Sequence, residues 1–195
     1  MRLFFDTEFT GLRKNTTLIS LGIITEDNRC FYAKFTDYDK EQVDTWIDDN
    51  VLPNIKLSRK LTKQFVVTEV DGTKEEIKEA LMKWLDDIGE LYYELVGDCC
   101  HYDMVLFTDI FGSGFDLPKP ICPVCWDINQ DLCYSDDIKL QDTFNLDRIE
   151  LLQGMIEQSY DEIYYGLQPI LNLCKANKHN ALCDAIITKC LYALM

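Results

Sequence analysis

Three short apolar runs fill most of the first 37 residues: "LFFDTEF", "TTLISLGIIT" and "CFYAKFTD". A Gly-containing turn separates the first two, and the turn-forming "EDNR" separates the second from the third. Runs this short, rich in Phe, Ile and Thr and joined by so few residues, fold as neighbouring strands. The N-terminal segment is therefore expected to be a three-stranded antiparallel meander.

Helical signals follow. "DKEQVDTWIDDNVLPNI" carries Val43, Ile47 and Val51 at helical spacing and stops at Pro53. "TKEEIKEALMKWLDDIG" predicts a helix with Thr73 as N-cap, Glu76 three residues on, and Gly89 as the C-terminal stop. "YYELVGDC" reads as a strand and "HYDMVLFTDIFG" as a helix ending at Gly112. Residues 57–72 read as irregular, with a short strand at Phe65–Val67. Residues 113–138, with three of the five prolines, read as an irregular insert. Helices are expected at about 145–157 and around 167–175, and "HNALCDAIITKCLYALM" closes the chain as an apolar helix. A meander followed by helix, strand and helix predicts a mixed sheet flanked by helices, an α/β architecture in one domain.

The first strand contains an anomaly. Successive strand residues point to opposite faces, so Asp6 and Glu8 share one face inside an otherwise apolar run. Two like charges side by side in a poorly solvated place are unfavourable. A divalent cation removes the problem, and Mg²⁺ and Mn²⁺ take carboxylate oxygens. Further acids would have to come from elsewhere. Asp103 lies at the start of a helix just after a strand, where a side chain can lean over the end of a sheet. Asp98 competes with it, and Asp109 sits too far along the helix to be favoured. In "HNALCDA", Asp184 stands among Leu182, Ile186 and Ile187, where an unpaired carboxylate is costly. His179, on the lead-in to that helix, titrates near neutrality and can accept a proton.

Composition bounds the rest. The 195 residues carry a net charge of -15, which excludes a broad basic surface for duplex DNA. It does not exclude a nucleic-acid enzyme whose acidic site holds metal ions. No apolar segment approaches the ~20 residues of a membrane span. Asp6 interrupts the N-terminal run too early for a signal peptide, so the expectation is a cytoplasmic protein without membrane attachment. The nine cysteines then read as reduced thiols. Cys122 and Cys125 form a single C-x-x-C, and Cys133 with Cys99 or Cys100 would have to complete four ligands, which argues against structural zinc.

Taken together, "FFDTEFTGL", "HYDMVLF" and "HNALCDA" resemble the three motifs of the DEDDh 3′–5′ exonucleases, which have an RNase H-like fold. The resemblance runs from residue 2 to about 194. It is nearest to the small bacterial and phage branch that includes the mycobacterial AS-type exoribonuclease. It implies that Asp6, Glu8, Asp103 and Asp184 bind two Mg²⁺ or Mn²⁺ ions and that His179 is the general base. The implied reaction is metal-dependent hydrolysis from the 3′ end of single-stranded nucleic acid to nucleoside 5′-monophosphates, with RNA favoured over DNA. The resemblance also implies that Thr10, Gly11 and Leu12 contact the terminal nucleotide, and it allows a homodimer, the state of some relatives. From their own positions, Arg13, Lys14 and Lys178 are candidates to meet backbone phosphates. A DNA exonuclease, and a non-catalytic acidic protein that mimics or binds nucleic acid, are the alternative readings.

Overall fold

The sheet places β2 antiparallel between two parallel neighbours. In this computed structural model, which describes residues 1–134, 146–158 and 162–195, six strands run in the order β4-β3-β2-β1-β5-β6. They are β1 (Arg2–Phe9), β2 (Leu18–Thr25), β3 (Arg29–Phe35), β4 (Val66–Gly72), β5 (Tyr93–Gly97) and β6 (Ile121–Asp127). The β1–β2–β3 meander is antiparallel, as the sequence predicts. β4 joins β3, β5 joins β1 and β6 joins β5 in parallel.

Period-two alternation divides the core into two layers. Leu3, Phe5, Leu21, Ile23 and Phe31 face one side. There they meet α3 (Lys74–Ile88) through Ile77, Leu81 and Trp84, and α4 (His101–Phe111) through Leu106, Phe107 and Ile110. Phe4, Ile24, Tyr32 and Val96 face the other side. That side is covered by α6 (Arg148–Gln158), α7 (Glu162–Lys175) and α8 (Ala181–Leu194). The helix α3 has the expected capping box, Thr73 with Glu76, and ends at Gly89 in the left-handed conformation.

Three expectations are corrected. The helix expected before Pro53 is broken by Asp44, whose side chain caps α1 (Thr45–Asn50), and only short 3₁₀ turns flank it at 40–42 and 52–54. Residues 57–72 hold a single helical turn, α2 (Leu61–Gln64), and then the full strand β4. Polar "TEVDG" conceals that strand, because β4 is an edge whose outer side meets water. The expected irregular insert contains β6, followed by the short helix α5 (Asn129–Tyr134). Pro123 is tolerated because β6 is the opposite edge and its pairing with β5 is irregular near that point. Residues 135–138 of the expected insert lie outside the described residues. Among the described residues no helix is long and apolar enough to cross a membrane.

Candidate active site

β1 outruns its parallel partner. Pairing with β5 covers Arg2, Leu3 and Phe4 only, so the half of β1 that carries Asp6 and Glu8 extends beyond β5. This is the carboxyl end of parallel strands, where open α/β sheets place ligands. Thr7 exploits the opening. Its backbone N–H donates to Asp103 Oδ1 at 3.0 Å, and its hydroxyl donates to the same oxygen at 2.5 Å. A strand amide left without a neighbour thus fixes the first turn of α4, and Asp103 is buried there.

Asp6 and Glu8 continue the face of Phe4, toward α8. That helix lies unusually close to the sheet. Gly22 sits opposite Asp6 in the β1–β2 register, and a Cβ at Gly22 would collide with the backbone of Ala181 and Leu182. The absent side chain lets the first turn of α8 rest on the sheet, which brings Asp184 to the strand acids. One ligand atom each of Glu8, His179 and Asp184 lie within 4.8 Å of one another.

The electrostatics agree with this convergence. Burial, then the carboxylates of Asp103, Asp184, Glu8 and Asp98, hold the Asp6 carboxyl well above its ordinary range. Burial, then Asp184 and Asp103, raise Glu8 in the same way. Burial raises Asp103 despite the opposing hydrogen bonds from Thr7. Asp184 is pushed up to about 7, chiefly by burial and then by Asp98. Four carboxylates that desolvate and repel one another form a site that favours cations. Their all-oxygen donor set suits a hard divalent ion such as Mg²⁺ or Mn²⁺.

His179 is set by its surroundings. Its backbone takes a left-handed conformation, φ +57°. Asn180 secures the next residue: its side chain caps α8 by accepting from Cys183 N, and donates to Asn54 O at 2.8 Å and Tyr32 Oη at 3.0 Å. The Trp46 ring meets the imidazole edge-on, with centroids 5.0 Å apart. Burial, then the Lys178 charge, lower the His179 pKa, which favours the neutral imidazole.

The competing acids are paired with cations, although Asp98 stays close enough to raise Asp6 and Asp184. Asp98 accepts from Arg148 Nε at 2.5 Å and Nη2 at 2.9 Å, and from Asn129 Nδ2 at 2.8 Å. Asp109 is ion-paired with Lys74. Of the substrate-contact candidates, Thr10 is buried, and its hydroxyl bonds Gln42 Oε1 at 2.8 Å and accepts from Thr17 N. It braces the loop after β1. Leu12, Arg13 and Lys14 are exposed on that loop beyond Gly11, whose φ is +133°. Lys178 is ion-paired with Asp147 at 2.7 Å. In the C-x-x-C, Cys125 Sγ lies 2.9 Å from Cys100 Sγ.

Sequence reasoning missed Thr7, Gly22, Trp46 and Asn180. Thr7 sits between the two strand acids, and Asn180 has the ordinary signature of an N-cap. Gly22 and Trp46 carry no local signal, since their roles depend on segments more than a hundred residues away.

Comparison with known proteins gives the family and the fold. A family profile described as "3'-5' exoribonuclease Rv2179c-like domain" matches residues 1–194. The chain is 29% identical over 121 residues to the 3′–5′ exoribonuclease Rv2179c of Mycobacterium tuberculosis strain ATCC 25618 / H37Rv, covering 62% of this chain and 67% of the relative. The same figures hold for the 3′–5′ exoribonuclease MT2234.1 of strain CDC 1551 / Oshkosh. Among solved structures it resembles the nuclease domain of 3'hExo, a DEDDh family member, bound to rAMP. The TM-score is 0.58 and the identity 15%, over 99% of this chain and 89% of that one. The fold is therefore that of a DEDDh nuclease, and with the profile spanning nearly every residue, the chain belongs to the Rv2179c-like 3′–5′ exoribonuclease domain family.

Proposed function

We propose that this protein is a cytoplasmic, metal-dependent 3′–5′ exonuclease that shortens single-stranded RNA from its 3′ end and releases nucleoside 5′-monophosphates. The observation that carries the reading is the convergence of Asp6, Glu8, Asp103 and Asp184, from three distant segments, beside His179. The names of the mycobacterial relatives and the nucleotide bound to the structural neighbour support RNA as substrate.

Asp6, Glu8, Asp103 and Asp184 would hold two Mg²⁺ or Mn²⁺ ions. When bound, such ions polarise the phosphodiester and make a coordinated water acidic. The protein's own groups do the remainder. Thr7 occupies one oxygen of Asp103, which leaves the other for the site. A ring nitrogen of His179, neutral at pH 7, accepts the proton of the attacking water. Trp46 and Asn180 limit the swing of the imidazole and of the backbone that bears it.

The test uses 5′-end-labelled single-stranded RNA and DNA, with Mn²⁺, Mg²⁺ or chelator, and the Asp6→Ala protein beside the wild type. Metal-dependent shortening from the 3′ end, faster on RNA and absent in the variant, is expected. Binding without shortening would reduce the protein to a non-catalytic nucleic-acid module. Preference for DNA would correct the substrate.

A further inference from the structure

A segment beside the site reverses the sign of the molecule. Between Asp49 and Glu69 no acidic residue occurs, while Lys56, Arg59, Lys60 and Lys63 give the stretch a charge of +4 in a chain of -15. All four cations are exposed, and among the described residues none of them is ion-paired. Several other cations are neutralised locally: Arg2 by Glu26, Arg29 by Asp27, Lys34 by Glu69, Lys83 by Asp87.

The fold explains why the charges point outward and where they begin. Leu57 packs against the core below α8, and Leu61 and Phe65 are buried in it. This four-residue spacing pins the inner side of the segment and leaves 56, 59, 60 and 63 in water. The start of the segment is tied to the site. Asn54 O accepts from Asn180, the residue after His179, and Ile55 O accepts from Tyr32 Oη at 2.8 Å. Lys56 follows at once. The cations therefore start beside the imidazole and lead away from it, toward the end of the sheet where Val66 pairs with Arg29.

Magnitude decides whether +4 matters beside -15. At physiological salt the Debye length is about 8 Å, so acids on distant surfaces are screened and a nearby chain responds to the local patch. A polyanion with regularly spaced charges fits an exposed row of cations, and single-strand binders use such grooves.

Accepting the exonuclease reading of the acid cluster, we propose that Lys56, Arg59, Lys60 and Lys63 form the track that binds backbone phosphates of the single strand upstream of the nucleotide being removed. The track gives length and salt dependence to binding and plays no part in bond cleavage. It makes the enzyme prefer long strands to very short ones.

The test combines K56Q, R59Q, K60Q and K63Q in one protein, with K119Q as a control at an exposed lysine elsewhere. Anisotropy of a labelled 20-nucleotide RNA is followed against salt with Asp6→Asn also present, so the strand is not consumed. Turnover of the p-nitrophenyl ester of thymidine 5′-monophosphate is measured with Asp6 intact. With about 0.7 per neutralised phosphate on a single strand, the slope of log K against log salt should fall by about 3. Between 50 and 200 mM salt the wild type should lose about 50-fold more affinity than the quadruple variant. Ester turnover should stay at the wild-type rate, and K119Q should match wild type throughout.

An unchanged slope overturns the proposal, as does an equal loss on the ester. Loss of binding to phosphatidylserine vesicles with RNA binding intact would assign the patch to a membrane instead. Should the quadruple variant melt below the wild type, the pairs K56Q/R59Q and K60Q/K63Q replace it, each expected to lower the slope by about 1.4. Absence of ester and RNA turnover in the wild type would refute the exonuclease reading, while anisotropy still reports on the track.

Discussion

Gly22 of β2 and Leu182 of α8 touch backbone to backbone, and no side chain larger than hydrogen fits between them. Because Gly22 lies opposite Asp6 in the sheet, this contact sets the height of α8 above the strand acids. Gly22→Ala forces the helix outward. Overpacking of this kind costs about 1–3 kcal/mol, and more where the obstacle is backbone. Turnover should fall with stability, since Asp184 leaves the cluster. Urea melts and activity measured together check this, and full activity in the variant would remove the contact from any role in the site.

The acid cluster makes stability and function opposed. Asp184 titrates at about 7 in the folded protein, against 3.8 in an unperturbed carboxyl. The folded state holds this proton more tightly than the unfolded chain. The stabilising contribution is therefore complete below about 3.8 and lost as pH rises through about 7. Metal-free protein should melt at a lower temperature at pH 8 than at pH 5, and Mn²⁺ should reverse the loss by neutralising the cluster. Asp184→Asn should raise the metal-free melting temperature at pH 8 while abolishing turnover. Scanning calorimetry with chelator and with Mn²⁺ distinguishes these states, and a lower metal-free melting temperature for the variant at pH 8 would contradict the assignment.

Thr7 donates twice to one oxygen of Asp103. Thr7→Val keeps the shape and the backbone donor but removes the hydroxyl. Groups that orient metal ligands typically contribute 10–100-fold to metal affinity or activity, so the variant should need about 10–100-fold more Mn²⁺ for half-maximal rate. A titration of rate against Mn²⁺ reads this directly, and an unchanged midpoint would show that Asp103 holds its position without help.

His179→Ala should retain Mn²⁺ binding by calorimetry yet lose about 10²–10⁴-fold in turnover, the range for a positioned general base. Its rate should also lose the acidic limb that protonation of the imidazole imposes on the wild type. Burial and Lys178 push that limb below the ordinary histidine value. A wild-type rate in the variant would take His179 out of the mechanism.

The edges of the sheet show where sequence stops being sufficient. β1, β2 and β3 were legible because their burial pattern is written in their own residues. α3 was legible because capping is local. β4 and β6 were not, since an edge strand tolerates polar residues and proline that a central strand cannot.

The site divides in the same way. The chain alone flagged Asp6 and Glu8 in an apolar strand and Asp184 in an apolar helix, because an acid in an apolar run is anomalous wherever it is read, while Asp103 kept Asp98 as a competitor and His179 stood only as a candidate. Only the folded structure decided that Asp98 is held by Arg148 while Asp103 is held by Thr7. It alone revealed that Gly22 admits α8, that Trp46 meets His179, and that a basic segment begins beside Asn180. The physical reason is range. Alternation, capping and helical spacing act within a few residues, whereas partners and close approaches join segments that meet only when the core forms.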